Sequence, residues 1–194
     1  MDFRIYHHVN DWAAAHAGFV HALGYLENAL VVALTAAAIL LWLAARPGGS
    51  RKWKLTAASA LASGALGYAA NQVVHAFWDR PRPYESHPGV WHPYATSTDA
   101  SFPSDHTSAA FGIAWAVFFY DRVVGSVFLA VAVALSWLRV VIGFHYPADV
   151  GAGLLVGLAA ALVVKAAQPF IAWLAGGVEK LTDPIVRPLW RRAA

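Results

Sequence analysis

The stretch that decides the fold is ALVVALTAAAILLWLAA, residues 29–45, an uncharged run that is apolar apart from one threonine. A helix needs roughly 20 predominantly apolar residues to cross the hydrocarbon core of a bilayer, and about 17 suffice at the short end. Arg46-Pro47-Gly48-Gly49 follows the run with a charge and with residues that end helices. The run therefore predicts a membrane-spanning helix.

The composition of the whole chain agrees with a membrane protein. Of the 194 residues, 59% are hydrophobic and 13% are charged, whereas soluble domains carry about 25% charged residues. The chain has no cysteine, which excludes disulfides and thiolate chemistry. Its basic residues do not form the single patch that nucleic-acid binding requires, so we predict no nucleic-acid partner.

Four more segments predict spans: residues 55–77, 107–120, 123–143 and 147–164. The first of these is rich in alanine and glycine, and small residues let helices approach closely in lipid. We therefore predict an all-α integral membrane protein, a single domain over residues 1–194, built as a bundle of about five, or six, transmembrane helices.

The two ends of the chain predict amphipathic helices that lie on the membrane surface. Residues 1–28 are aromatic, rich in histidine and too polar to span comfortably, which favours an interfacial helix. Residues 169–194 mix apolar and basic side chains in the same way. Glu27, near the first span, is either a functional residue, as intramembrane acids usually are, or one that extends to the interface.

The basic residues are distributed unevenly over the predicted connections. One side of the membrane carries ten of the fourteen: Arg46, Arg51, Lys52, Lys54, Arg122, Lys165, Lys180, Arg187, Arg191 and Arg192. Lysine and arginine accumulate on the cytoplasmic side of membrane proteins. The long loop 79–105 and the connection 139–147 are then expected to face outwards, together with all nine histidines.

Three short motifs lie on this outer side, each next to a predicted span. They are Arg80-Pro81-Arg82-Pro83, Phe102-Pro103-Ser104-Asp105-His106, and Arg139 followed by His145 and Asp149. Taken singly, each has a simpler interpretation as a headgroup anchor, a helix cap or a hydrogen-bonded wall residue. Their combination indicates a phosphate site.

Phosphoryl transfer needs donors that hold the phosphate, a nucleophile and an acid for the leaving oxygen. The planar guanidinium groups of Arg82 and Arg139 match phosphate oxygens, and Ser104 adds a hydroxyl group.

The nucleophile and the acid would come from two histidines. Asp149 lies four residues after His145, within reach of its ring on a helical turn, and a carboxylate there would fix the tautomer and leave the other nitrogen free to attack. His106 remains as the proton donor. This chemistry needs neither a metal ion nor a cofactor, and we predict none. A metal site at His87, His92 and Asp99 is a weaker hypothesis, because their spacing is not that of a tight ligand set.

The three motifs resemble the signature motifs of the type 2 phosphatidic acid phosphatase superfamily: Lys-x6-Arg-Pro, Pro-Ser-Gly-His and Ser-Arg-x5-His-x3-Asp. The chain reads His75-x6-Arg82-Pro83, Pro103-Ser104-Asp105-His106 and Leu138-Arg139-x5-His145-x3-Asp149, within about residues 55–165. The resemblance implies that His145 is a nucleophile that forms a phosphohistidine, that Asp149 orients it and that His106 is the general acid. It also implies that Arg82, Ser104 and Arg139 bind phosphate.

The chain departs from the family pattern at three positions. His75 replaces the lysine, so we predict that His75 contributes to phosphate binding when it is protonated. Asp105 replaces a glycine, and its charge is expected to point away from the phosphate or to cap a helix. Leu138 replaces the serine before Arg139.

The segments ASFPSDHT (100–107) and GFHYPADV (143–150) resemble one branch of the family, the BcrC-type bacterial undecaprenyl-diphosphatases. That branch implies hydrolysis of a lipid diphosphate on the outer face of the bacterial inner membrane, which recycles the cell-wall lipid carrier and confers bacitracin resistance. The alternatives are a phosphatase of phosphatidylglycerol phosphate, phosphatidate or a polyprenyl sugar phosphate, and a non-catalytic phospholipid-binding membrane protein. The oligomeric state does not follow from the sequence.

Overall fold

In the computed structural model, which describes residues 1–45, 47–94 and 96–191, the chain forms eight helices. These are α1 (Asp2–Ala15), α2 (Ala17–Ala44), α3 (Arg51–Phe77), α4 (Pro83–Ser86), α5 (Asp105–Tyr120), α6 (Arg122–Val141), α7 (Pro147–Ala166) and α8 (Gln168–Arg191). The predicted all-α class is confirmed. Arg46 and Arg192, two of the basic residues used to orient the chain, lie outside the described residues.

Among the described residues, three helices are long and apolar enough to cross a membrane, judged by length and composition: α2, α6 and α7. Helix α2 begins at Ala17, so the boundary predicted at residue 29 is wrong, and only α1 remains of the predicted interfacial segment. The chain can continue the helix through Glu27 because this side chain is 1% exposed and ion-paired inside the protein. Glu27 therefore does not extend to the interface.

The other two predicted spans differ in burial: α5 lies in the interior of the bundle, whereas α3 packs against α5 and α7 with one face and exposes Tyr68, Val73 and Phe77 on another. Helix α5 packs against α3, α6 and α7, and its 16 residues extend about 24 Å at 1.5 Å per residue. The contacts between α3 and α5 are close: a Cβ atom at Gly64 of α3 would lie 2.8 Å from Cγ1 of Ile113, and one at Gly67 of α3 would lie 2.8 Å from the Ser108 carbonyl oxygen. Glycine permits this approach, as the small-residue pattern predicts.

Helix α1 is attached to the end of the bundle at which α5 and α7 begin. The amide of Asn10 donates to the Trp91 carbonyl oxygen at 2.7 Å and accepts from the Trp91 N–H at 2.8 Å. Tyr6 is fully buried and donates to the Gly143 carbonyl oxygen at 3.4 Å. Helix α1 thereby holds together the two loops that carry the motifs.

Helix α8 packs at the opposite end of the bundle. Lys54 of α3 is buried, and its ammonium group lies 2.8 Å from Asp183 of α8. Ile171 is buried, whereas Trp173 and Ile185 are exposed. One face of α8 therefore packs against the bundle, and the other face is exposed. The helix is amphipathic as predicted for residues 169–194, of which 192–194 lie outside the described residues.

Candidate active site

The three motifs converge on one cavity of about 330 Å³ at the end of the bundle where α5 and α7 begin. The irregular chain before α4 supplies Arg82, the first turn of α5 supplies His106, and the last turn of α6 supplies Arg139. His145 lies in the connection just before α7. The lining residues are Tyr68, Arg82, Ser97, Asp99, Ala100, Asp105, His106, Arg139, Phe144 and His145.

The hydrogen bonds of His145 determine which of its ring nitrogens is free to react. Nδ1 lies 2.9 Å from the carbonyl oxygen of Ser101, which can only accept, so Nδ1 carries the hydrogen. Nε2 lies 3.4 Å from Nη1 of Arg82 and 3.3 Å from Nη2 of Arg139, and both guanidinium groups can only donate. The lone pair of Nε2 is therefore directed towards the two arginines.

The electrostatic surroundings keep the His145 ring neutral. Its side chain is 2% exposed. Burial lowers the pKa of His145 well below its usual range, and the charges of Arg139 and Arg82 lower it further. A neutral imidazole with a free lone pair is the form in which histidine acts as a nucleophile.

Asp149 does not hydrogen-bond directly to the His145 ring, because its nearer oxygen, Oδ2, lies 3.7 Å from Nδ1. Oδ2 instead accepts from the hydroxyl group of Ser101 at 2.6 Å and from the backbone N–H of Tyr146 at 2.9 Å. Oδ1 accepts from Arg80 at 2.5 Å. Ser101 hydrogen-bonds to both Asp149 and His145, so Asp149 could orient the ring only indirectly. The orienting role of Asp149 stays a prediction.

Arg80, Ser101 and Asp2 are members of the site that sequence reasoning missed. Arg80 also donates to Asp2 at 2.7 Å, and Asp2 accepts from the backbone N–H of Ala148 at 3.0 Å. The repeated Arg-Pro pair in the sequence could have indicated Arg80, since both of its arginines belong to the site. Arg80 binds Asp149, whereas Arg82 lines the cavity. No local pattern indicates Asp2, which lies 78 residues from Arg80.

The two predicted phosphate-binding arginines are fixed in the cavity wall. Arg82 donates to the carbonyl oxygens of Asp99 at 3.0 Å and Phe144 at 3.3 Å. Arg139 donates to Glu27 at 3.3 Å, and its guanidinium carbon lies 4.4 Å from the centre of the Phe144 ring. Both side chains are only 6% exposed, so two preorganised cations flank Nε2 of His145.

Ser104 and His75, the other predicted phosphate ligands, make contacts within the protein and are not among the described residues that line the cavity. Ser104 is fully buried, and its Oγ accepts from Thr107 at 3.1 Å. It occupies the N-cap position of α5 without a side-chain cap hydrogen bond. Nε2 of His75 lies 3.1 Å from the Pro103 carbonyl oxygen. Their roles in phosphate binding stay predictions.

Asp105 shows how a carboxylate is accommodated where the family has glycine. Its Oδ1 accepts from the amide of Asn71 at 2.9 Å and its Oδ2 from the amide of Gln72 at 3.0 Å. Both oxygens are thus directed towards α3. Of the two expectations for Asp105, the structure agrees with a charge that points away from the site and not with a helix cap.

The described residues contain no group of three His, Cys, Asp or Glu side chains that could hold a metal ion. Two of the side chains considered for such a site make aromatic contacts instead. The ring of His92 stacks on Tyr84 at 4.0 Å, and that of His87 stacks on Phe3 at 3.6 Å.

Comparison with known proteins places these motifs in a family context. The sequence model of the PAP2 superfamily matches residues 54–173. The bacitracin transport permease protein BcrC of Bacillus licheniformis is 36% identical over 108 residues, 54% of this chain and 53% of that protein, so the chain spans about half the length of that relative. The undecaprenyl-diphosphatase BcrC of Bacillus subtilis (strain 168) is 27% identical over 158 residues, 81% of this chain and 79% of that protein.

A third relative and a solved structure extend the comparison. The decaprenylphosphoryl-5-phosphoribose phosphatase of Mycolicibacterium smegmatis is 36% identical over 141 residues, 73% of this chain and 68% of that protein. The crystal structure of LpxE from Aquifex aeolicus superimposes with a TM-score of 0.67 at 21% identity, and covers 85% of this chain and 94% of LpxE. At that identity the superposition shows a shared fold.

Proposed function

Because the chain belongs to the PAP2 superfamily, we propose that it is a membrane phosphatase of lipid phosphates, and that its substrate is undecaprenyl diphosphate. The observation that carries the activity is the position of His145 Nε2, within 3.4 Å of the guanidinium groups of both Arg82 and Arg139. The similarity to the two BcrC proteins supports the choice of substrate. The products are undecaprenyl phosphate and inorganic phosphate.

In the first step, the terminal phosphate lies between Arg82 and Arg139, whose donors compensate the charge on its oxygens. Nε2 of His145 attacks the phosphorus, and the bond between phosphorus and the bridging oxygen breaks. His106 is protonated once the negative charge of the bound phosphate offsets the charges of Arg82 and Arg139, and this imidazolium donates its proton to that oxygen as undecaprenyl phosphate leaves. The Ser101 carbonyl oxygen, 2.9 Å from Nδ1, stabilises the positive ring of the resulting phosphohistidine.

In the second step, water attacks the phosphohistidine. His106, now neutral, accepts a proton from this water as the new oxygen–phosphorus bond forms. The nitrogen–phosphorus bond breaks, its electron pair returns to Nε2 of His145, and inorganic phosphate is released. Both steps use the chain's own residues.

The site is proposed to face the periplasm from the bacterial inner membrane. Three basic residues near the start of α3 (Arg51, Lys52 and Lys54), together with Arg122 and Lys165, lie at the end of the bundle opposite the cavity. Because basic residues accumulate on the cytoplasmic side, their position supports a cavity on the outer face. The partners are then the lipid diphosphate and the bilayer.

The test is phosphate release by the detergent-purified full chain from undecaprenyl diphosphate, with EDTA present and with phosphatidate assayed in parallel. We expect His145→Ala and His106→Ala to abolish turnover while the protein stays folded, whereas the exposed control His16→Ala keeps full activity. Near-normal turnover by His145→Ala would refute the nucleophile. Release from phosphatidate alone would refute the substrate, and release from neither would favour a protein that only binds phospholipids.

A polyprenyl sugar phosphate is the second candidate substrate. The similarity to the mycobacterial decaprenylphosphoryl-5-phosphoribose phosphatase, over 73% of this chain, favours it specifically. The motifs recognise phosphate and leave the rest of the lipid unspecified. Comparison of kcat/KM for undecaprenyl diphosphate and for a polyprenylphosphoryl phosphoribose decides between them.

A further inference from the structure

Glu27 is a buried acid that the proposed reaction does not use. It lies on α2 with 1% of its surface exposed, and its Oε1 accepts from Nη1 of Arg139 at 3.3 Å. The two residues are 112 positions apart in sequence. A charge in the interior of a membrane protein is costly, and where it occurs it usually serves function.

The contact with Glu27 sets how the Arg139 guanidinium group is presented. Nη1 donates to Glu27, and Nη2 lies 3.3 Å from Nε2 of His145. Nε is buried and has no acceptor among the described residues.

Glu27 also changes the charge balance of the cavity. Within the described part of the chain, the Arg82 guanidinium group donates to the carbonyl oxygens of Asp99 and Phe144 and forms no ion pair, whereas Arg139 is ion-paired with Glu27. Two carboxylates line the cavity, those of Asp99 and Asp105. They accept from the Ser97 hydroxyl group and from amides of α3, and neither forms an ion pair with an arginine among the described residues.

We propose that Glu27 is a positioning residue that holds the Arg139 guanidinium group towards the phosphate site, and that its negative charge limits the affinity of the site for inorganic phosphate so that the product leaves. The inference rests on the proposed phosphatase function. Two arginines without an ion-pair partner would hold the product phosphate more tightly, and slow product release limits kcat. Glu27 weakens the electrostatic attraction without removing a donor.

Two substitutions separate the two parts of this role. Glu27→Gln keeps an oxygen that can accept from Arg139 but removes the charge. We expect inorganic phosphate to inhibit it at concentrations about tenfold lower than the wild type, the scale of one charge–charge interaction near a protein site, with a lower KM and a lower kcat. Glu27→Asp keeps the charge but shortens the side chain by one methylene group. We expect its kcat to fall while its inhibition by phosphate is no stronger than that of the wild type.

The matched control is Glu179→Gln, which removes a charge near Lys54 at the opposite end of the bundle and should change neither quantity. Phosphate inhibition of Glu27→Gln within twofold of the wild type would overturn the charge role, and full kcat in Glu27→Asp would overturn the positioning role. If Glu27→Gln does not fold, the kcat of Glu27→Asp still tests the positioning role, and stronger phosphate inhibition of Glu27→Asp than of the wild type would overturn the charge role. If the wild type hydrolyses no lipid phosphate, the proposed function itself is refuted. If the wild type is active and the Glu27 variants match it, only the role of Glu27 is refuted.

Discussion

The contact between α7 and the first turn of α5 allows a test of how closely the site must be packed. A Cβ atom added at Gly153 of α7 would lie 2.9 Å from Cβ of Thr107 and 3.0 Å from the Ser104 carbonyl oxygen. Ordinary contacts begin at 3.4 Å, so Gly153→Ala must separate the two helices by about half an ångström. Ser104 belongs to the second motif, and Asp149, one turn before Gly153, belongs to the third.

The expected cost follows from this displacement. A misplacement of about 1 Å can lower an enzymatic rate about 100-fold, so about half an ångström between the motifs is expected to lower kcat on the order of tenfold. Overpacking costs about 1–3 kcal/mol of unfolding free energy, and the better helix propensity of alanine offsets about 1 kcal/mol of it. Gly151→Ala is the control on the same helix, because nothing lies within 4 Å of its added Cβ atom.

The assay combines phosphate release from the lipid substrate with the unfolding temperature of the purified protein in detergent. Gly151→Ala is expected to keep the wild-type kcat and to unfold at the same temperature or slightly higher. Gly153→Ala with a wild-type kcat would refute the argument that the α5–α7 distance sets the geometry of the site.

Three further predictions concern ionisable side chains. In the unfolded chain His145 becomes protonated below about pH 6.5, whereas the buried ring in the folded protein stays neutral because burial lowers its pKa. As the pH falls from about 6.5 to about 5, the wild type should therefore lose up to about 1.4 kcal/mol more unfolding free energy per pH unit than His145→Gln. Equal slopes of unfolding free energy against pH, measured in detergent, would contradict this. Arg80→Met removes a partner of Asp149 and should lower kcat at least about tenfold more than Arg80→Lys, measured by phosphate release. Lys54→Met should lower the unfolding free energy by about 1–3 kcal/mol, since Asp183 is only partly exposed, and should leave kcat/KM unchanged.

The membrane-helix boundaries show where sequence reasoning succeeded and where it did not. Continuous apolar runs predicted α6 and α7 as spans, because apolar composition over about 20 residues is a local property. The start of α2 was misplaced, since a glutamate in the sequence looks polar until its buried partner, Arg139, is known. The interior position of α5 likewise depends on which helices surround it.

The sequence by itself determined the helical membrane class and the residues that converge on the cavity: Arg82, His106, Arg139 and His145. It could do so because each motif is a short local pattern, and the sequence itself gives the type of each side chain. Only the tertiary structure decided how these groups are oriented. The tautomer of His145 depends on a carbonyl oxygen 44 residues away, and the orientation of Arg139 depends on a carboxylate 112 residues away. Hydrogen-bond direction is set by packed side chains brought together from distant parts of the chain, and no local pattern encodes it.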